Sequence, residues 1–174
     1  MLFFLYFIGM KLQSINPYTE QVMKEFDYIG VDDAIKIVKS LKENRDWPNS
    51  DISDKIGAIK NVSKQLKKNV EVYARAISME MGKPIKESRA EVEKCAWLCD
   101  YFAENAEQFL SDDAIETENR KSYITLDPLG VVLGVMPWNF PFWQVYRFAI
   151  PALIAGNRVA VKHSSNVPQC ALKI

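Results

Sequence analysis

Three stretches of the chain repeat apolar residues at steps of three and four, and each predicts a helix packed by one face. The first carries Ala34, Ile35, Val38 and Leu41, with Asp32 or Asp33 placed to cap it and Trp47-Pro48-Asn49-Ser50 to end it. The second starts near Ser53 and sets Ile56, Ile59, Val62, Leu66, Val70, Tyr73 and Ile77 on one stripe, with a break near Asn69. Gly82 followed by Pro84 is its stop signal. The third runs from about Pro84 to Leu110, with Val92, Cys95, Cys99, Phe102, Ala106 and Phe109 in register. Its outward positions are mostly Glu, Lys, Arg and Asn, which reads as a solvated face.

The pattern changes at Ser111. Residues 111–121 are polar, Ser122 to Leu126 reads as a strand, Asp127 to Gly130 as a turn and Val131 to Met136 as a second strand, together a predicted β-hairpin. An apolar helix follows from about Phe142 to Ala155, ended by Gly156-Asn157, and then a short strand from Arg158 to Val161. Strand, helix and strand in that order imply a parallel pair and an α/β sheet. Near the start, Asn16 to Glu20 is a turn cluster between short extended pieces. Ahead of it Met1 to Ile8 reads MLFFLYFI. Eight apolar residues fall short of the roughly 20 that span a bilayer. We read Met10 as the natural start and residues 1–9 as an upstream extension, with a short membrane-interface anchor as the alternative.

Composition narrows the function. The chain has 174 residues, with 22 basic and 22 acidic side chains and no net charge. No basic excess exists to neutralise phosphates, so nucleic acid is not an expected partner. Hydrophobic residues at 48% and charged residues at 25% are globular values. Three cysteines, Cys95, Cys99 and Cys170, do not form a disulfide framework, which points to the reducing cytoplasm. With a single histidine they also make a poor metal set, so no metal is expected.

The candidate chemistry lies at the carboxyl ends of the two parallel strands, where open α/β sheets bind ligands. Asn139 sits between Pro137 and Pro141 on a backbone of limited freedom. Its amide is either a turn former or a hydrogen-bond donor to a developing oxyanion. Lys162 ends the second strand, either solvated or facing a ribose or phosphate. Arg147 lies in an otherwise apolar and aromatic helix, where its guanidinium takes an internal carboxylate or a substrate carboxylate.

Taken together, Gly134-Val135-Met136-Pro137-Trp138-Asn139-Phe140-Pro141, Pro151 to Asn157 and Val159-Ala160-Val161-Lys162 closely resemble the aldehyde dehydrogenase superfamily. Asn16-Pro17-Tyr18-Thr19, Glu80 to Pro84 and Glu91-Val92 agree, so the resemblance runs from about Leu12 to the end. Phe142 to Val145, Arg147 and Lys162-His163 look like the bacterial succinate-semialdehyde dehydrogenase branch. The resemblance implies the N-terminal part of that fold: helices, the start of a Rossmann-like parallel sheet and a hairpin arm for homo-oligomer assembly. It divides the chain into the extension at 1–9, the helical part of the cofactor-binding domain at 10–110, the arm at 111–129 and the first strand-helix-strand at 130–174. Asn139 matches the oxyanion-hole asparagine. Met136, Pro137 and Trp138 match the nicotinamide side of the cofactor cleft. Lys162 matches the lysine on the adenosine ribose or its 2′-phosphate. Phe140 matches a wall of the aldehyde pocket, and Arg147 the site of a far-carboxylate arginine.

Ser165 stands where many NAD-preferring members carry Glu, so the cofactor expected is NAD or NADP. His163 replaces the usual proline. The family reaction also needs a cysteine nucleophile and a glutamate base, which the family places after the strand of Lys162. None of the three cysteines matches the nucleophile, the catalytic domain is not among these residues, and the chain alone is expected to be inactive. The alternative is a non-catalytic binding or assembly protein that retains part of the fold.

Overall fold

The computed structural model describes residues 2–3, 11–118 and 121–174, with the backbone alone for 2–3. In chain order the elements are β1 (Leu2–Phe3), β2 (Leu12–Ile15), β3 (Val22–Phe26), α1 (Val31–Glu43), α2 (Asp46–Asn49), α3 (Ile52–Lys68), α4 (Val70–Met81), α5 (Ile85–Leu110), β4 (Asp113–Ile115), β5 (Ser122–Ile124), β6 (Val131–Val135), α6 (Trp143–Ile154), β7 (Arg158–Lys162) and α7 (Pro168–Lys173).

The helices pack because α5 offers a seam of small side chains. Val92, Cys95, Ala96, Cys99, Ala103 and Ala106 are all buried along it. Small residues let α3, α4 and α6 approach closely and lay Ile59, Leu66, Ile77 and Phe142 against one core. Each such large side chain contributes about 1.5–3 kcal/mol by leaving water. The break at Asn69 separates α3 from α4, and its side-chain amide donates to the Gln65 carbonyl at 2.9 Å. Gly82 ends α4 at φ +79°, the left-handed conformation that glycine supplies without strain.

β6, α6 and β7 form the expected crossover. β7 pairs with β6 in parallel, with Val131 opposite Arg158 and Val135 opposite Lys162. Leu2–Phe3 pairs in parallel with the other edge of β7, giving the order β1-β7-β6. The remainder of the expected extension at 1–9 lies outside the described residues. Gly134 lets α6 close on the sheet, since a Cβ there would meet the Phe148 ring at 2.6 Å.

Four expectations need correction. Ser122 to Leu126 does not pair with Val131 to Met136. Instead β5 pairs antiparallel with β4, within the segment read as polar, and β6 joins β7. The hairpin so formed still falls within 111–129. Asp32 and Asp33 do not cap α1; they sit in its first turn, and Gly30 occupies the cap position with no side-chain bond. Trp47 to Ser50 does not end α1, which stops at Glu43. It forms the separate turn of helix α2, pinned where the Trp47 indole N–H donates to the Leu153 carbonyl at 3.0 Å. Phe109 follows the seam of α5 in sequence but is exposed, ringed by Tyr101 and Phe102.

Candidate active site at the strand ends

The parallel register brings the two motif segments out of the sheet side by side. The Met136 N–H donates to the Lys162 carbonyl at 2.9 Å, one step past the last paired residues. Beyond it Pro137, Trp138, Asn139 and Phe140 form an exposed turn. No hydrogen-bond partner for the Asn139 side-chain amide occurs among the described residues, so it is free to donate to a ligand. Lys162 and Ser165 are half-buried at the end of β7, across from this turn.

The chain then turns into α6, and Phe140 and Arg147 come together. They line a cavity of about 440 Å³ with Trp143, Gln144 and, from α4–α5, Lys83, Glu91 and Lys94. Asn139, Met136, Pro137, Trp138, Lys162 and Ser165 are not among its walls. Arg147 is exposed and forms no ion pair among the described residues, so the internal-carboxylate alternative is not realised there. Two cation–π contacts shape the cavity. The Lys83 ammonium lies 3.7 Å from the Phe140 ring centre, and that of Lys94 lies 4.0 Å from the Trp143 ring.

Beneath the cavity sits a polar network that the solvated-face reading of α5 missed. Glu91 and Lys83 are both buried and form an ion pair. The same Glu91 carboxylate accepts the backbone N–H groups of Phe142 at 2.9 Å and Trp143 at 3.1 Å, the entry to α6. From the opposite side, fully buried His163 lies 2.8 Å from the Pro141 carbonyl through Nε2. The Ser164 N–H donates to its Nδ1 at 2.8 Å. Nδ1 is therefore the bare nitrogen, and Nε2–H is the donor to Pro141. Burial holds the His163 pKa below its ordinary value, which favours this neutral form. Glu80, buried on α4, accepts from the Ser14 hydroxyl and from the N–H groups of Gln169 and Cys170, which ties β2 and α7 to the helices.

The sequence does carry a signal for Glu91. It falls four residues before Cys95 and eight before Cys99, in register with the apolar seam rather than on the outer face. His163 stands two residues after Val161, in phase with that buried position of β7. All three cysteines are free and buried. Burial pushes the Cys99 thiol up to about 12 and raises Cys95 and Cys170 as well. Such thiols stay protonated at neutral pH and are poor nucleophiles. Among the described residues no helix is long and apolar enough to cross a membrane, and no group of three or more His, Cys, Asp or Glu could hold a metal.

Comparison with known proteins adds the family. A model of the aldehyde dehydrogenase family matches residues 8–174. A probable succinate-semialdehyde dehydrogenase [NADP(+)] of Synechocystis is 40% identical over 166 residues, 95% of this chain and 37% of that protein. The succinate semialdehyde dehydrogenase [NAD(P)+] Sad of Escherichia coli is 40% identical over 159 residues, 91% of this chain and 34% of that one. The crystal structure of a Streptococcus pyogenes succinic semialdehyde dehydrogenase in complex with NADP+ superposes with a TM-score of 0.89 at 31% identity, covering 93% of this chain and 36% of that chain. The chain thus spans roughly a third of the length of these relatives. With its parallel strand ends, its Pro-Trp-Asn-Phe-Pro turn and a match over nearly its whole length, the chain belongs to the aldehyde dehydrogenase family.

Proposed function

We propose that the chain is the amino-terminal part of an NAD(P)-dependent dehydrogenase that oxidises succinate semialdehyde to succinate. The observation that carries this reading is the shared cavity of Phe140 and Arg147. An aromatic wall and a guanidinium with no internal partner suit an aldehyde with a carboxylate at its far end. Asn139, four residues before the start of α6, donates its free amide to the aldehyde oxygen as negative charge develops there. The names of the relatives support the substrate.

When bound, NAD(P) supplies the hydride acceptor. Met136, Pro137, Trp138, Lys162 and Ser165 would hold it. They fit that task, because they stand at the carboxyl ends of adjacent parallel strands, and the run Lys162 to Asn166 contains no carboxylate to repel a 2′-phosphate. The expected segments follow: residues 10–110 and 130–174 as parts of one cofactor-binding domain, and 111–129 as a homo-oligomer arm. Exposed Ile115, Tyr123 and Ile124 on the β4–β5 hairpin support the arm. Free, buried thiols fit a cytoplasmic protein. With its cysteines buried as protonated thiols, the 174-residue chain alone does not turn over the substrate. Robust turnover of succinate semialdehyde by the purified chain would refute that last point.

The substrate is tested in a hybrid, with residues 10–174 replacing the matched part of the E. coli enzyme. Arg147→Ala should lower kcat/KM for succinate semialdehyde by about 1.5–3 kcal/mol, roughly 10- to 150-fold, and leave simple aldehydes nearly unchanged. Equal losses on both would mark Arg147 as structural.

A further inference from the structure

We propose that His163 and Glu91 are positioning residues that grip one peptide unit, Pro141–Phe142, at both of its ends and so set the turn that presents Asn139. A peptide unit has one acceptor and one donor. Here the Pro141 carbonyl takes the His163 Nε2–H, and the Phe142 N–H goes to Glu91. The two gripping side chains come from different elements, the end of β7 and the interior of α5. Pro141 has a locked φ and no N–H of its own, so fixing its carbonyl fixes the chain direction there. Lys83 completes the grip, pairing with Glu91 while its ammonium covers the Phe140 ring. Each residue of Phe140-Pro141-Phe142-Trp143 is thus held by a buried polar group. Among the described residues, Trp138 and Asn139 just ahead have no backbone bonds of this kind, so their placement follows from that anchor.

Packing by itself does not call for this arrangement. A buried ion pair and a fully buried imidazole are weak sources of stability, and apolar residues of equal volume would often serve as well. What they supply is direction, since each bond fixes an angle as well as a distance. The grip also joins the strand end that carries Lys162 to the turn that carries Asn139, so the two halves of the candidate site keep one spacing. The grip stands apart from any substrate. Its catalytic meaning rests on the proposed role of Asn139, and the experiment reads the grip without substrate or cofactor.

His163 is the only histidine, so its imidazole nitrogens give a single set of signals in the 15N-labelled 174-residue chain. The spectrum should show Nε2 protonated and Nδ1 bare at neutral pH, and the ring should stay neutral as the pH falls below its ordinary range. The charged groups facing it are Glu80 of α4 and Lys162 of β7. A proton on Nδ1, or rapid averaging of the two tautomers, would overturn the proposal. Hydrogen exchange then locates the effect. His163→Leu should lower the protection of the Phe142 and Trp143 amides by on the order of tenfold and loosen residues 138–140, with Ile77 and Val92 unchanged. His163→Gln, whose amide N–H reaches about as far as Nε2, should restore it. Uniform loss across the core, no loss at Phe142, or failure of the glutamine to restore protection would each count against the grip. The tautomer measurement needs no variant, so it decides even where a substitution unfolds the chain.

Discussion

The cavity beside α6 has a floor and a mouth, and both carry charge. At the floor, Lys83 and Glu91 are buried and paired to each other, and Glu91 also accepts the Phe142 and Trp143 backbone N–H groups. At the mouth, Lys94 and Arg147 are exposed, and no salt bridge holds either among the described residues. The floor sets a cation against an anion and the mouth holds two cations, and their situations are opposite. Charge that is buried and fully partnered has spent its bonding capacity on geometry. Charge that opens onto a cavity without a partner remains available to a ligand. That contrast separates positioning from recognition more sharply than any list of polar residues.

The largest expected effect breaks the floor. Glu91→Ala leaves Lys83 buried without its partner and strips two helix N–H groups of their acceptor. It should destabilise the chain by about 3–5 kcal/mol in chemical denaturation. A loss under about 1 kcal/mol would place Glu91 with the mouth residues. Next comes pH. His163 is held below its ordinary value of 6.5, so the unfolded chain binds a proton that the folded chain refuses. The resulting stability is present above pH 6.5 and is lost as pH falls toward the folded value, with a slope of at most about 1.4 kcal/mol per pH unit for one proton. Comparing denaturation of the wild type and His163→Gln at successive pH values isolates this slope, which the variant should lack. The mouth should respond least. Arg147→Ala and Lys94→Ala should each change stability by less than about 0.5–1 kcal/mol, the scale of an exposed cation–π contact. A larger loss at Arg147 would show that it braces the fold and would weaken its assignment to a substrate carboxylate.

Much of this was legible in the sequence. α3, α4 and α5 follow from steps of three and four, and Gly82 with Pro84 marks the stop. The parallel pair follows from two apolar runs with an apolar helix between them. The β4–β5 hairpin was not legible at its first strand, because Asp113-Ala114-Ile115 offers little apolar pattern and its partner lies several residues away. Pairing is a non-local event that local pattern does not encode. The motif turn was readable as a unit, and Phe140 with Arg147 did converge on one cavity. The floor was not. Glu91 looked like one more acid on a charged helix face, although its register with Cys95 and Cys99 placed it on the buried seam. His163 reads in the sequence as half of the Lys162-His163 pair and as a replacement for a proline, but nothing there says that the Pro141 carbonyl stands opposite it.

The hydrogen bonds of the floor also share a direction. The Ser164 N–H points to His163, the His163 N–H to Pro141, and the Phe142 N–H to Glu91, where the Lys83 ammonium meets the same carboxylate. Dipoles aligned in series polarise one another, so each link strengthens the next. The set behaves as one cooperative unit, and paired substitutions at 91 and 163 should cost less than the sum of the single ones. Over evolutionary time, positions coupled in this way are expected to change together.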